Sequence, residues 1–130
     1  MAARTGPYDH MKRVTAGRVV HLELHTGDLA GARAFYGALL GARFEEVVVK
    51  CGSYLTMDLG DGVGGGIVEC GVRPSAWLPY VEVPEIHEAT ARAWELGAAV
   101  LLEPREGPGG WRSVVAEPAG GQVALWQPKR

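Results

Sequence analysis

The clearest pattern of hydrophobic and polar positions runs from Val19 to Gly41. Aliphatic residues at positions 20, 22 and 24 alternate with polar residues at 21, 23 and 25, which is typical of a half-buried β-strand. Asp28 stands where a helix N-cap belongs, and Gly41 can end a helix in the left-handed conformation. Between them, apolar residues recur at helical spacing: Leu29, Ala32, Phe35, Tyr36, Leu39 and Leu40. We therefore expect the helix to cover the aliphatic face of the strand, with His21, Glu23 and His25 on the opposite face.

The same order of elements is predicted a second time along the chain. After the first helix, alternating and β-branched segments predict three strands at residues 42–50, 54–59 and 67–70. The second series has a strand at 77–83, a helix at 84–96 and strands at 98–103, 111–116 and 122–126. The glycines between 60 and 66 predict a tight turn or bulge, and residues 104–110 predict a loop.

Short sequence matches between the two series support a duplication. Leu40-Gly41-Ala42 follows the first helix and Leu96-Gly97-Ala98 the second, and a Gly-Gly pair precedes the last strand of each series. We therefore predict an α+β fold of two βαβββ halves, at about 18–72 and 76–127, that form a curved mixed sheet around a cleft. Because one helix covers only one face of a small sheet, the other face is expected to line the space where a ligand binds.

Size and charge narrow the possible classes of protein. The chain has 130 residues, enough for one domain, and we expect a flexible tail over 1–16 and the domain over 17–130. A net charge of -2 without a basic stripe argues against nucleic-acid and membrane-surface partners. No apolar run approaches ~18 residues and no signal peptide is evident, so we expect a cytoplasmic protein. Cys51 and Cys70 form neither a disulfide framework nor a CxxC zinc motif.

Several of these positions together carry a family resemblance. They are His21 seven residues before Asp28, Phe35-Tyr36 followed by Leu39-Leu40-Gly41, Gly97-Ala98, and Glu117-Pro118-Ala119-Gly120. On these residues the chain resembles the vicinal oxygen chelate superfamily, the glyoxalase, bleomycin-resistance and extradiol dioxygenase group, over about Arg18 to Gln127. The segments ELHTGD, GGIVE, WLPYVEV and PGGW are similar to a glyoxalase-like bacterial subgroup. The resemblance implies βαβββ units around a cleft, often in a homodimer, and in many members a divalent metal.

The resemblance also implies where a metal would bind. Ligands in such proteins come from the first and last strands of each unit, and the corresponding positions here are His21, Glu69, Leu78 and Ala124. A divalent metal on His21 and Glu69 is thus implied, but the site is incomplete because the other two side chains cannot bind a metal. Glu23, His25, Glu82 or a partner chain would have to complete it. Residues two apart on a strand lie ~6.6 Å from each other and can share an ion, whereas His21 and His25, ~13 Å apart, cannot.

The remaining candidate residues follow from alternation along the strands. Glu23, His25 and Glu69 are candidate catalytic groups, because a histidine beside a carboxylate can act as an acid or base near neutral pH. Tyr80 and Glu82 are expected on the cleft face of their strand, and Trp126 on that of the last strand. These three side chains are candidate substrate-binding residues.

Three functions remain open from the sequence. The first is a glyoxalase-like lyase, isomerase or dioxygenase with a bound metal that activates neighbouring oxygens of a small substrate. The second is a metal-free protein of the bleomycin-resistance kind that sequesters a planar, drug-like ligand with Tyr80 and tryptophans. The third is a metal-free enzyme that uses His25 or Glu23 as a base. All three place a small molecule in a cleft.

Overall fold

The predicted order of strands and helices is present in the computed structural model, which describes residues 17–49, 52–60, 62–71 and 75–130. The elements are β1 Val19–Thr26, α1 Leu29–Leu40, β2 Phe44–Val49, β3 Gly52–Asp58, β4 Gly64–Glu69, β5 Ala76–Glu82, α2 Ile86–Glu95, β6 Ala99–Glu106, β7 Gly110–Ala116 and β8 Gln122–Pro128. The α+β class and the repeated βαβββ order are therefore confirmed. The predicted tail over 1–16 and Cys51 lie outside the described residues.

The described residues group into two compact units. One comprises Val19–Tyr80, and the other comprises Val81–Arg130 together with Gly17 and Arg18. The boundary lies within β5, whereas the sequence repeat predicts it between residues 72 and 76. Each unit is described separately below, and the first unit is the one that ends at Tyr80.

In the first unit the strands are hydrogen-bonded in the order β2-β3-β4-β1-β5. Strand β1 runs parallel to β4, while β3 is antiparallel to both β2 and β4, so the sheet is mixed. Leu24, Leu55 and Ile67 form the buried core, and Leu29, Ala32 and Tyr36 of α1 pack against it together with Phe44. The prediction that α1 covers the aliphatic side of β1 is confirmed at Leu24.

Helix α1 begins and ends at the predicted residues. The Asp28 carboxylate accepts a hydrogen bond from the Gly31 N–H at 2.9 Å, and Gly41 adopts a left-handed φ of 64° that a glycine tolerates best. The apolar residues of the helix do not all face the core, however, because Phe35, Leu39 and Leu40 are exposed. The helical spacing identified the apolar residues of α1, but only part of that set contacts the sheet.

In the second unit β8, β7 and β6 form an antiparallel series, and α2 packs over them. Ile86, Val115 and Ala124 are buried there. Two polar residues are also buried, and they pair with each other: the hydroxyl groups of Thr90 and Ser113 lie 2.8 Å apart. Helix α2 starts at Ile86, two residues later than predicted from Pro84, because the Glu85 carboxylate caps it by accepting the Glu88 N–H.

Two predicted irregular segments are strands in the structure. Gly64, Gly65 and Gly66 belong to β4 and pair with β1, so the predicted glycine turn is restricted to the residues before them. A Cβ on Gly65 would lie only 3.0 Å from the Met57 carbonyl oxygen, so this strand approaches its neighbour where a side chain would not fit. Strand β6 extends to Glu106 through Pro104, which falls in a register irregularity between Leu102 and Arg105, where a proline is tolerated.

Candidate functional site

The polar face of β1 forms a connected group of side chains in the first unit. A hydrogen bond of 2.7 Å joins His25 Nε2 to Glu23 Oε1, and the Tyr80 hydroxyl donates to the same oxygen at 3.1 Å. On the other side of the carboxylate, His21 Nε2 lies 3.5 Å from Glu23 Oε2. The His21 and Tyr80 rings also meet edge to face, with centroids 5.0 Å apart. We call His21, Glu23, His25 and Tyr80 the Glu23 cluster.

The local sequence explains why these four side chains meet. Alternation along β1 directs His21, Glu23 and His25 away from the core residue Leu24. Strand β5 is the neighbour of β1 in the sheet, and its buried Tyr80 reaches Glu23 across the strands. The prediction that Tyr80 shares the face of the β1 imidazoles therefore agrees with the contacts in the structure.

The environment of Glu23 keeps its carboxylate ionised. Burial opposes the charged form and would raise the pKa of Glu23, but the partners outweigh that effect. Hydrogen bonds from His21 and His25, the charge of His25 and the hydrogen bond from Tyr80 lower the pKa to about 2. An ionised carboxylate has no proton to donate, so His25 must donate through Nε2. When the His25 ring is neutral, its Nδ1 is then free to accept a proton.

The cluster remains open enough to be reached by a small molecule. The side chains of His21, His25 and Glu23 are 33%, 28% and 17% exposed. In the parallel register, β4 places Gly64 beside His21 and Gly66 beside Glu23. A Cβ on Gly64 would lie 3.0 Å from His21 Nδ1, so the glycine leaves this side of the ring uncovered. The pattern of the sequence did not reveal this role of the glycines, because the role depends on which strand lies next to β1.

Glu69, which the resemblance paired with His21, has a different position. Its Oε2 accepts a hydrogen bond of 3.2 Å from the Leu29 N–H at the start of α1. There it satisfies a helix N–H that lacks an intrahelical partner. In the register Glu69 lies opposite Thr26, five residues along β1 from His21 and roughly 16 Å away. One metal ion cannot be bound by both side chains at that separation.

The donor groups in the described part of the chain do not fit a metal centre. The β4 positions beside His21 are glycines, and Leu78 and Ala124 are buried apolar residues. Across the described ranges, no three or more His, Cys, Asp or Glu side chains are grouped so that they could hold an ion. The nearest approach to a ligand set is His21 with Glu23, and Glu23 already accepts hydrogen bonds from His25 and Tyr80.

Two of the predicted substrate-binding residues lie in the second unit. The side chain of Glu82 is half-buried, and its backbone N–H donates to the Arg18 carbonyl at 2.9 Å. Trp126 is also half-buried, with its indole against Gly109 and Gly110, at which a Cβ would lie 3.5 and 2.9 Å from the ring. Their roles toward a ligand, like those of the Glu23 cluster, stay predictions.

One aromatic group was not identified from the sequence. The Trp77 indole N–H donates to the Tyr36 hydroxyl at 3.2 Å, and Tyr36 also meets Phe35 edge to face, with centroids 4.9 Å apart. The alternation of β5 places Trp77 opposite to Tyr80 and hence on the side of α1, which is the only signal in the sequence that indicates this contact.

Within the described ranges, neither helix is long and apolar enough to cross a membrane.

Comparison with known proteins gives one related sequence and several related folds. No family model matches the chain. The anthracycline biosynthesis protein DnrV of Streptomyces peucetius is 33% identical over 108 residues, which cover 80% of this chain but 39% of DnrV. The chain thus spans about 39% of the length of this curated relative.

The structural similarities extend over most of the chain. Hypothetical protein BH1468 from Bacillus halodurans C-125 aligns with a TM-score of 0.69 and 13% identity over 88% of this chain and 96% of that one. Methylmalonyl-CoA epimerase from Mycobacterium tuberculosis aligns with a TM-score of 0.64 and 15% identity, over 88% and 89% of the two chains. A glyoxalase/bleomycin resistance protein/dioxygenase superfamily member from Vibrio splendidus 12B01 aligns with a TM-score of 0.62 and 20% identity, over 85% of this chain and 98% of that one. At these identities the likeness concerns the fold.

Proposed function

We propose that this chain, which has the fold of the glyoxalase/bleomycin resistance/dioxygenase superfamily, binds a small aromatic molecule and exchanges a proton with it at the Glu23 cluster. The observation that carries the proposal is the ionised Glu23 carboxylate, which is bonded to His25 at 2.7 Å and to Tyr80 at 3.1 Å on a face that a ligand can reach. Such a carboxylate–histidine pair is a common arrangement for general acid–base catalysis.

In the proposed reaction His25 is the base. A C–H next to a carbonyl group of the ligand gives its proton to Nδ1 of the neutral His25 ring, and the electron pair of that bond stays on the ligand as an enolate. The positive charge that forms on the ring is stabilised by Glu23. Tyr80 donates to the same carboxylate oxygen and so holds it in place beside His25. Glu23 is therefore a positioning residue in this scheme and His25 the catalytic residue. His21, whose ring is left uncovered by Gly64, would contact the ligand.

The class of ligand is supported by the related sequence. Anthracyclines are fused-ring aromatic compounds with phenolic hydroxyl groups, and DnrV is by name an anthracycline biosynthesis protein. A flat aromatic ligand suits a site with aromatic rings, because stacked or edge-to-face rings favour each other beyond simple burial. We therefore propose a phenolic polycyclic compound of the anthracycline type as the ligand. Because DnrV is more than twice as long as the matched segment, its activity as a whole is not transferred to this chain.

Passive sequestration of the same ligand is the second candidate. It is favoured by the donor set of the described residues, among which glycines lie beside His21 and no three potential ligands are grouped to hold the ion of a metal-dependent glyoxalase, isomerase or dioxygenase. Sequestration needs only binding, and binding alone does not require the hydrogen-bonded pair of Glu23 and His25. The two candidates differ in whether the bound compound is changed.

Titration of the protein with an anthracycline, followed by tryptophan fluorescence and calorimetry, tests binding. We expect saturable binding that the His21→Ala variant weakens, because His21 would contact the ligand in this scheme. Incubation of the complex in D₂O, followed by mass spectrometry or by NMR of the compound, then tests for proton exchange at carbon. His25→Gln should bind with similar affinity but lose the exchange by at least about 100-fold.

His87→Gln serves as the matched control, because His87 is an exposed histidine on α2 that also pairs with a glutamate, Glu85, at 3.3 Å. It should leave both binding and exchange unchanged. If the wild-type protein does not bind the anthracycline, the proposed ligand class is wrong. If it binds without exchange or conversion, the protein is a sequestration protein and the role of His25 as a base is refuted.

A further inference from the structure

The second unit contains a pocket between α2 and β6, the edge strand of that unit. Its volume is about 550 Å³, within the range of roughly 300–1,000 Å³ that is usual for small-molecule sites. The residues that line it include His87, Thr90 and Trp94 of α2 and Val100, Glu103 and Pro104 of β6. The three helix residues share one side of α2, because they are three and four positions apart. We call this recess the α2–β6 pocket.

An irregularity of β6 explains why a carboxylate lines the pocket. Glu103 and Pro104 both lie opposite the single residue Ser113 of β7, where the register between the two strands shifts. Ser113 is on the side of the sheet that α2 covers, because its hydroxyl lies 2.8 Å from that of Thr90. The bulge therefore brings Glu103 to the side of α2. Bulges that redirect a side chain in this way are common beside functional sites.

The Glu103 carboxylate has neither an ion-pair nor a hydrogen-bond partner among the described residues. The nearby arginines lie on other surfaces. Arg105 is paired with Arg112 on the opposite face of the strands, and Arg92 is two residues from Trp94, a spacing that puts the two on different sides of α2. Because Glu103 is the only carboxylate that lines the pocket and is not neutralised, the pocket favours a ligand with a positive charge.

The two ends of the pocket differ in how far their rings are already engaged. At one end, the His87 imidazole contacts Trp111 with centroids 5.4 Å apart, and its Nδ1 lies 3.3 Å from a Glu85 oxygen. At the other end, the Trp94 side chain is 68% exposed and has no ring contact within the described ranges. An indole face attracts both aromatic rings and organic cations, so this end suits the body of the ligand.

We propose that the α2–β6 pocket binds a small arylalkylamine, with its protonated amine at the Glu103 carboxylate and its aromatic ring on Trp94. The carboxylate selects the charge, and the indole with the neighbouring Ala91 and Val100 provides an apolar surface for the ring. His87 is not a contact in this arrangement, because its ring is held at the opposite end. The site lies in the second unit and does not rest on the reaction proposed for the Glu23 cluster.

The test is a titration of the full chain at pH 7 with phenethylamine and with phenethyl alcohol, which replaces the ammonium group by a neutral hydroxyl. Backbone amide shifts in NMR spectra give both the affinity and the location. We expect phenethylamine to bind at α2 and β6, and Glu103→Gln to weaken it by about 5-fold, the upper end of what an exposed ion pair contributes. The same variant should leave the weaker binding of the alcohol unchanged. Trp94→Ala should weaken both compounds, because both place their ring on the indole.

Glu106→Gln is the matched control, because Glu106 is an exposed glutamate on the same strand whose carboxylate is paired with Lys129 at 3.0 Å. It should leave the affinity for phenethylamine unchanged, and an equal loss would show that only the net charge of the protein matters. The proposal is overturned if phenethylamine does not bind at about 10 mM, or if the alcohol binds as tightly as the amine. It is also overturned if Glu103→Gln binds the amine as the wild type does, or if the shifts centre on residues outside α2 and β6.

Discussion

Helices α1 and α2 occupy corresponding places in the two βαβββ series, yet they differ in how they pack. Helix α2 buries Ile86 and Thr90 against its own strands and carries charged residues on its outer side, among them Glu88, Arg92 and Glu95. Helix α1 buries none of its residues and exposes leucine and phenylalanine. The amphipathic helix thus buries residues against its own unit, whereas the apolar one leaves large side chains exposed.

Polar groups show a second contrast between the two units. In the first unit the charged and ring side chains of the Glu23 cluster lie on the open face of β1 and retain partial exposure, while the buried Thr26 hydroxyl accepts a hydrogen bond from Ser75 at 2.8 Å. In the second unit the hydroxyl groups of Thr90 and Ser113 are sealed between α2 and β7 and contact each other. A charge held at a reachable surface is useful for chemistry, while a buried neutral pair fixes how a helix sits on its sheet. The two series therefore share an order of elements, and the candidate chemistry lies in the first unit.

The contrast between the helices predicts the largest difference in stability. Ile86→Ala in α2 should lower the free energy of unfolding by about 2–5 kcal/mol, because it leaves a cavity at a residue only 1% exposed. Leu39→Ala in α1 should change the unfolding free energy of the monomer by less than about 0.5 kcal/mol. Urea denaturation at a protein concentration low enough to keep the chain monomeric measures both. Equal losses for the two variants would remove the distinction between the helices.

The lowered pKa of Glu23, in the first unit, predicts that the free energy of unfolding depends on pH. Its pKa of about 2 in the folded protein lies below the ordinary value of 4.5, so the ionised form stabilises the fold above pH 4.5, and this contribution is lost as the pH falls toward 2. The difference corresponds to on the order of 3 kcal/mol. The stability gap between wild type and Glu23→Gln should therefore narrow between pH 5 and pH 2.

The control for this measurement is Glu46→Gln, because Glu46 is an exposed glutamate on the edge strand β2 of the same unit. This variant removes a carboxylate outside the Glu23 cluster, so an equal narrowing of its stability gap would show that the effect is not specific to the cluster. A gap for Glu23→Gln that stays constant from pH 5 to pH 2 would mean that the bonds from His25 and Tyr80 do not hold the carboxylate as the structure describes.

Local patterns predicted a strand or helix well where the residues that determine it lie within that strand or helix or at its ends. Alternation identified β1, and the cap residues Asp28 and Gly41 fixed both ends of α1. Prediction was wrong for the strand residues Gly64–Gly66 and for Pro104, because glycine and proline were interpreted as turn formers. Those residues are accommodated by a neighbouring backbone or a register irregularity, and neither is visible in the local sequence.

The sequence predicted which side chains of β1 and β5 share a face, but it did not predict correctly which residues lie beside each other on neighbouring strands. Alternation placed His21, Glu23 and His25 on one face and Tyr80 on the same side of its own strand. The pairing of Glu69 with His21 came from the position of Glu69 in the last strand of the first series, whereas the register between β1 and β4 separates the two by five residues. Register is a property of two strands together, so one strand's sequence could not supply it.

The register also predicts how a metal site could be introduced. Gly66 lies beside Glu23, and a Cβ there would be 3.8 Å from His21 Nε2 without a close contact. Gly66→Glu should therefore bind Zn²⁺ or Co²⁺ together with His21, and metal at 100 times its Kd would stabilise this variant by about 2.7 kcal/mol. The wild-type protein, purified without chelator, should contain no stoichiometric metal by elemental analysis and gain no stability. A wild-type protein that binds metal, and loses it on Glu69→Ala, would favour the metal-dependent reading instead.

The buried hydroxyl groups of Thr90 and Ser113 predict the smallest losses of stability, and these losses should differ between the two positions. Ser113→Ala removes one hydroxyl, but Thr90 keeps its 2.6 Å bond to the Ile86 carbonyl, so the loss should be about 1 kcal/mol. Thr90→Val removes the same bond between the two hydroxyls but leaves the Ser113 hydroxyl, which is 0% exposed, without that partner. Its loss should be larger, about 1–3 kcal/mol.

The double variant Thr90→Val with Ser113→Ala completes this test. Because it leaves no buried hydroxyl at this site, it should be more stable than Thr90→Val alone, although it lacks one more polar group. Thermal and urea unfolding of the four proteins give the coupling between the two positions directly. Strictly additive losses would show that the two hydroxyl groups do not depend on each other, and the buried pair would then not be what fixes α2 on β7.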